Sequence, residues 1–196
     1  MKNKLFFSAA LSVIIGVTGL VQVADGQNRS ILNEAQRVSG DRFTVTTRTP
    51  QGVRIHAVRR PSAAMLSAID RGLTDLFAVA RKNRYTRGLN HSDYTIYIAN
   101  ADRTRDAAGN YSPDIAIGSA QYAGSVYDQG GYIYAAGMII SNQPMAFLIA
   151  EHTGDVSRVA DLVRFEGEHL VLYHNDRRRY HQTADHSQGG SHPILQ

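Results

Sequence analysis

The chain has 196 residues, with 21 lysine and arginine residues, 17 acidic residues, eight histidines and no cysteine. A chain without cysteine forms no disulfide, no thiolate zinc site and no thioether link to haem. The net charge of +4 is modest, and the arginines lie in short patches without the interleaved aromatic residues typical of nucleic-acid binding. We therefore expect a solvated basic surface and no nucleic-acid partner.

The beginning of the chain has the pattern of a secretory signal peptide. A basic start precedes an uncharged apolar run over residues 5–23, and the small residues Ala24 and Gly26 suit cleavage after Gly26. An uncleaved membrane anchor is the alternative, but the glycines and Gln22 in the run make it a poor span. We predict a signal peptide over residues 1–26, and a secreted or periplasmic protein with no stable membrane span after cleavage.

About 170 residues remain after cleavage, which is enough for one domain with its own core. Residues 27–41 are polar and are predicted to form a flexible N-terminal arm or a short helix, before a single α+β domain over residues 42–196. Apolar alternation predicts strands at residues 43–47, 53–57, 94–99, 132–140 and 145–150, with a weaker one at 121–127. Residues 100–119 are predicted to form a long loop. We expect the strands to form an antiparallel sheet of hairpins.

Two long helices are predicted from apolar residues at helical spacing. The first covers residues 61–83, and its proline at the start suits the first turn of a helix. The second begins at a cap, Thr153 or Asp155, and reaches about Thr183. The remaining residues, 184–196, are predicted to form an irregular tail. The two helices are expected to pack against the sheet.

The second helix carries the residues that favour a site. At 100° per residue, its apolar side chains and Gly167 share a face that is predicted to meet the sheet, while Phe165 and Glu168 are predicted to point elsewhere. Beside that face lies a stripe made of Glu166, His169, Tyr173, Asp176 and Tyr180. Such a stripe is either a hydrogen-bonded ladder along a half-buried helix edge or a functional site. The role of its last three members stays open.

A metal site is the functional interpretation of this stripe. Glu166 and His169 are three residues apart, so that both side chains can reach one ion. Five of the eight histidines lie from His169 to His192, and His186 and His192 belong to the irregular tail, which can fold back. Since zinc uses histidines and carboxylates where no thiol is present, we predict a zinc site of Glu166, His169, His186 and His192. A tail that is merely rich in histidine is the alternative.

The motif Phe165-Glu166-Gly167-Glu168-His169 resembles the His-Glu-x-x-His helix of zincin metalloproteases, with Phe165 in place of the first histidine. The order of elements is also similar to a minimal zincin: a sheet and a long helix, then edge strands, then the motif helix. The resemblance implies that Glu166 matches the general base and His169 the second zinc ligand. The missing first histidine implies either a site remodelled around Glu166 as a ligand or a non-catalytic relative.

Two functions are compatible with these features. The favoured one is an exported metal-binding protein with a zincin-like core. If this protein is an enzyme, we expect a metallohydrolase that acts on peptides. The alternative is a non-enzymatic secreted or envelope binding module in which the Glu-His-Tyr-Asp stripe is structural. Both imply a peptide or protein ligand, and the metal content of the purified mature protein discriminates between them.

Overall fold

The computed structural model describes residues 14–103, 107–109, 113–118, 132–152, 154–183 and 192–196. In chain order the elements are α1 (Ile14–Ser39), β1 (Val45–Arg48), β2 (Arg54–Ala57), α2 (Ala63–Lys82), a 3-10 turn (His91–Asp93), β3 (Tyr94–Ala99), β4 (Ile115–Gly118), β5 (Tyr132–Ala135), β6 (Gly137–Asn142), β7 (Met145–Ala150), α3 (Val156–Asn175) and α4 (Arg177–Thr183). Within these ranges, no helix combines the length and the apolar character that crossing a membrane requires.

The main sheet has the strand order β1-β2-β3-β7-β6, and β4 and β5 form a separate two-stranded sheet. β1 pairs with β2, and β6 with β7, as antiparallel hairpins. The central pairs β2–β3 and β3–β7 are parallel. The α+β class is therefore confirmed, but the antiparallel sheet was wrong at its centre. The reason is that α2 connects β2 to β3 as a crossover, and crossovers join parallel strands.

Both faces of the main sheet are covered, which explains why its central strands are buried. Ile96 of β3 and Phe147 of β7 belong to a core shared with α2 and α3. Their neighbours Tyr97 and Leu148 point to the opposite face, where they join a second core with residues of α1 and β4. β7 is consequently buried along its whole length, as expected for a strand between two layers.

The start of α3 at Asp155 was predicted, but α2 begins only at Ala63, so that Pro61 precedes the helix, and the last predicted helix is divided. The Ser62 side chain accepts the N–H of Met65 at the start of α2, and Asp155 caps α3. Asp176 leaves the helical conformation after α3, and its carboxylate accepts the N–H of Arg179 at 3.0 Å. The single helix predicted to reach Thr183 is therefore two helices, because the Asp176 side chain caps a new one.

Other segments differ from the sequence prediction in ways that packing explains. The predicted arm is helical to Ser39, because Ala35 and Val38 of α1 are buried against the second core. The predicted loop over residues 100–119 contains β4, a strand of four residues that is too short for periodicity to reveal. The strand predicted at 132–140 is divided into β5 and β6. The weaker strand at 121–127 lies outside the described residues.

α2 and α3 approach each other closely at two glycines. A Cβ atom at Gly72 would overlap the carbonyl oxygen of Ala160, and one at Gly167 would overlap Cδ2 of Leu76. Gly167 was predicted to lie on the face that meets the sheet, but its close neighbours are Leu76 and Leu73 of α2. Because α2 covers the side of α3 that carries Gly167, β6 and the C-terminal residues pack against a different side of α3.

Candidate functional site

The polar cluster in the middle of α3 centres on Glu168, which is fully buried. Its Oε2 accepts the N–H of Ile194 at 2.8 Å and lies 3.1 Å from Nδ1 of His192. Its Oε1 accepts the N–H of Leu195 at 3.3 Å and lies 3.7 Å from Nε of Arg164. One buried carboxylate therefore holds the C-terminal segment, residues 192–196, against α3.

Side chains from the helices also hold the C-terminal segment, because they donate hydrogen bonds to its main-chain oxygens. Three side chains each donate to one of its main-chain oxygens: Arg164 to Leu195 at 3.0 Å, Arg179 to Ile194 at 2.6 Å, and Asn83 to Gln196 at 3.1 Å. The Leu195 side chain is fully buried in the core beneath α2 and α3. The segment lacks regular secondary structure, but α2, α3 and α4 together define its position.

The sequence prediction was wrong about Glu168, which was expected to point away from the site. It assumed that α3 buries one face, whereas the C-terminal segment covers a second side of the helix. Phe165, also expected to point elsewhere, stacks on the ring of His192 with 4.9 Å between ring centroids. Two signals pointed to this arrangement: the spacing of Arg164 and Glu168, and the apolar pair 194–195 in a polar tail.

Of the four predicted zinc ligands, His169 and His192 lie in contact. Their rings meet edge to face with 5.1 Å between centroids, and His169 is buried. Glu166 lies one turn before His169, close enough to His192 for the histidine to affect its pKa. His186 lies outside the described residues. Within the described ranges, no three His, Asp or Glu side chains converge closely enough to hold a metal ion as they stand.

Glu166 lies in an environment that opposes its ionisation. The residue as a whole is half-buried, but a Cβ atom at Gly137 would lie 2.8 Å from its Oε1, so that the carboxyl group packs against the start of β6. Burial raises the pKa of Glu166 from 4.5 to about 7, and the nearby His192 opposes that rise only in part. At neutral pH the carboxyl group is thus divided between its charged and neutral forms.

We expect Glu166→Gln to stabilise the metal-free protein more at pH 8 than at pH 5. Because the pKa of Glu166 is higher in the folded state, the contribution of this group is fully present below pH 4.5 and is lost as the pH rises through about 7. Glutamine carries no charge, so it avoids a cost of up to about 3 kcal/mol at pH 8. Urea unfolding in a chelating buffer measures the difference.

Asp161→Asn, at an exposed position of the same helix, is the control and should show no such pH dependence. An equal effect of Glu166→Gln on the free energy of unfolding at pH 5 and pH 8 would contradict the raised pKa.

The lower half of the stripe, Tyr173, Asp176 and Tyr180, contacts neighbouring elements of the fold. Asp176 accepts a hydrogen bond from the Tyr85 hydroxyl at 3.4 Å, in addition to its role as the cap of α4. The Asn142 side chain of β6 donates to the Tyr180 hydroxyl at 3.3 Å, and the rings of Tyr173 and Tyr180 meet edge to face. These contacts join α3 and α4 to β6 and to the segment after α2. These hydrogen bonds go to other elements, and they differ from a ladder in which the side chains of the stripe pair with one another.

Comparisons of the chain with protein families, with curated proteins and with solved structures found no match. The resemblance to zincins therefore depends on residues 165–169 and on the coarse order of elements alone. In that motif, the position of the first histidine is occupied by the phenylalanine that stacks on His192.

Proposed function

We propose that this chain is an exported zinc-binding protein in which the metal ties the C-terminal segment to α3. The observation that carries the proposal is the pair formed by Glu168 and His192. An ionised carboxylate can only accept, so Nδ1 of His192 is the donor in this pair, and in the neutral ring Nε2 then has the lone pair. A histidine oriented by a carboxylate in this way is typical of zinc ligands.

The distance between the two imidazoles is compatible with a shared zinc, although an ordinary edge-to-face ring pair has the same spacing. Two histidines on one tetrahedral zinc, with Zn–N distances of about 2.0–2.1 Å, have ring centroids about 5 Å apart. His169 and His192 are separated by 5.1 Å. Glu166 is the proposed third ligand, reached by rotation of its side chain away from Gly137, and His186 is the proposed fourth. Four protein ligands leave no open position for water, which favours a structural role.

One observation favours the metallohydrolase as a second candidate. A carboxyl group with a pKa of about 7 suits a general base at neutral pH, and Glu166 has such a pKa. In that case Glu166 would activate a water on a zinc held by histidines, and peptides would be the substrates implied by the zincin resemblance. Hydrolysis of a peptide by the zinc-loaded protein, and not by Glu166→Gln, would separate this function from the structural one.

The test of zinc binding is a thermal melt of the metal-stripped protein with and without zinc. Zinc should raise the melting temperature at pH 7.5, because a ligand that binds only the folded state stabilises it. The rise should be much smaller at pH 5, since imidazole ligands must be neutral to bind metal. His169→Ala and His192→Ala should each abolish the response. His181→Ala, which removes an exposed histidine of α4, should leave it intact.

Calorimetry gives the limit at which the proposal fails. If the stripped protein binds zinc no more tightly than about 0.1 mM, the cluster is not a metal site. The non-enzymatic binding module would then be the better interpretation, with the stripe and the C-terminal segment as structural contacts.

A further inference from the structure

A cavity outside the α3 cluster lies between α2 and the turn of the β1–β2 hairpin. Its volume is about 380 Å³, and its lining consists of Pro50, Gln51, Ser67, Asp70, Arg71 and Thr74. Among these six residues Asp70 alone is buried, with 4% of its surface exposed, so that it forms the floor. The volume lies in the range of small-ligand sites.

Asp70 lies at the floor of this cavity, and only one of its two carboxylate oxygens accepts a hydrogen bond from the described residues. Its Oδ2 accepts the N–H of Gln51 at 3.0 Å, which holds the hairpin turn to the helix. Its Oδ1 is also buried, yet none of the described residues donates a hydrogen bond to it. A buried acceptor without a donor is destabilising, and such atoms normally meet a donor from water or a ligand. Because Oδ1 itself has almost no exposed surface, a ligand donor reaches it only when the hairpin turn at Gln51 shifts, and it then supplies the missing hydrogen bond.

A second cavity of about 400 Å³ continues the first, because both are lined by Gln51 and Thr74. It extends along α2 to the residues before β3. Phe77 and Leu89 form an apolar part of its wall, and the exposed Arg81 adds a positive charge. The two cavities together form one groove, which we call the α2 groove.

The charges of the α2 groove differ between its two ends. Asp70 and Arg81 are eleven residues apart on one helix, which corresponds to about 16 Å along the axis. An extended chain of about five residues covers that length. Arg71 also lines the groove, but its guanidinium donates to the carbonyl oxygen of Val156 at 3.2 Å, at the start of α3.

We propose that the α2 groove binds a short extended peptide through its free amino terminus. The α-ammonium group donates to Oδ1 of Asp70, an aliphatic side chain near the third residue contacts Phe77 and Leu89, and the carboxylate end meets Arg81. This site is separate from the α3 cluster and does not depend on zinc.

The test is calorimetric titration of the purified protein with the peptide Ala-Ala-Leu-Ala-Ala and with its N-acetylated form. The free peptide should bind saturably, and acetylation should weaken binding by at least about tenfold, because it removes the charge that Asp70 recognises. Asp70→Asn should cause a similar loss while its side-chain oxygen still accepts the N–H of Gln51. Asp75→Asn, exposed on the same helix and outside the lining, should bind like the unmodified protein.

A second variant covers the case in which Asp70→Asn does not fold. Ser67→Phe places a large side chain in the cavity from its exposed rim and should abolish binding without touching the hydrogen bond to Gln51. The proposal is overturned if no saturable binding occurs up to about 10 mM peptide. It is also overturned if the acetylated peptide binds as well as the free one, or if Ser67→Phe leaves binding unchanged.

Discussion

Glu168→Ala is expected to lower the free energy of unfolding by about 3–5 kcal/mol, and the melting temperature by about 10 °C. The substitution removes the acceptor of the N–H groups of Ile194 and Leu195, and the partner of Arg164 and His192. The C-terminal segment should leave α3, and the amide protons of residues 194 and 195 should lose their protection in hydrogen exchange. Denaturant unfolding and hydrogen exchange measure the two effects.

Two controls separate this effect from a general loss of charge. Glu168→Gln keeps the volume and one acceptor oxygen, so it should cost about half as much. Glu151→Ala removes the partner of the largely exposed Arg59 and should cost less than about 1 kcal/mol. Equal, small losses for Glu168→Ala and Glu151→Ala would show that Glu168 does not hold the segment.

Gly72→Ala is expected to destabilise the protein by about 2–3 kcal/mol, even though alanine is the better helix former by about 1 kcal/mol. The new Cβ atom would overlap the carbonyl oxygen of Ala160, and would lie 3.0 Å from Cβ of Val163. A backbone atom cannot rotate away, so α2 and α3 would have to move apart. Thermal unfolding of the variant measures the cost.

Gly167→Ala is the matched control on the facing helix. Its Cβ atom would meet the end of the Leu76 side chain, which can change rotamer, so the variant should differ from the parent by less than about 1 kcal/mol. A Gly72→Ala variant as stable as the parent would mean that the two helices are farther apart than described.

The elements that the sequence predicted best are those defined by local signals. The β1–β2 hairpin has alternating residues and a turn that contains Pro50 and Gly52, and α2 has a regular apolar stripe. The parallel centre of the sheet was missed, because alternation within a strand contains no information about the direction of its partner. The break at Asp176 was missed because the same helical periodicity continues on both sides of it.

The candidate site was predicted only in part, for a physical reason. His169 and His192 were chosen by residue type, and the structure brings them into contact. Glu168 was not chosen, because its partners are mainly main-chain N–H groups of Ile194 and Leu195, which any residue except proline has. The four-residue spacing of Arg164 and Glu168 is the one side-chain pattern that points to this carboxylate, and the main-chain groups that it binds leave none.

An anomalous-difference map from a crystal of the protein grown with zinc tests the central claim most directly. We expect a zinc peak about 2.0–2.1 Å from Nε2 of His192 and from a ring nitrogen of His169, with a carboxylate oxygen of Glu166 at about 2.0–2.2 Å. The C-terminal segment should remain bound to Glu168 in the same crystal. A map with no peak between His169 and His192, while the segment is bound as described, would contradict the zinc site.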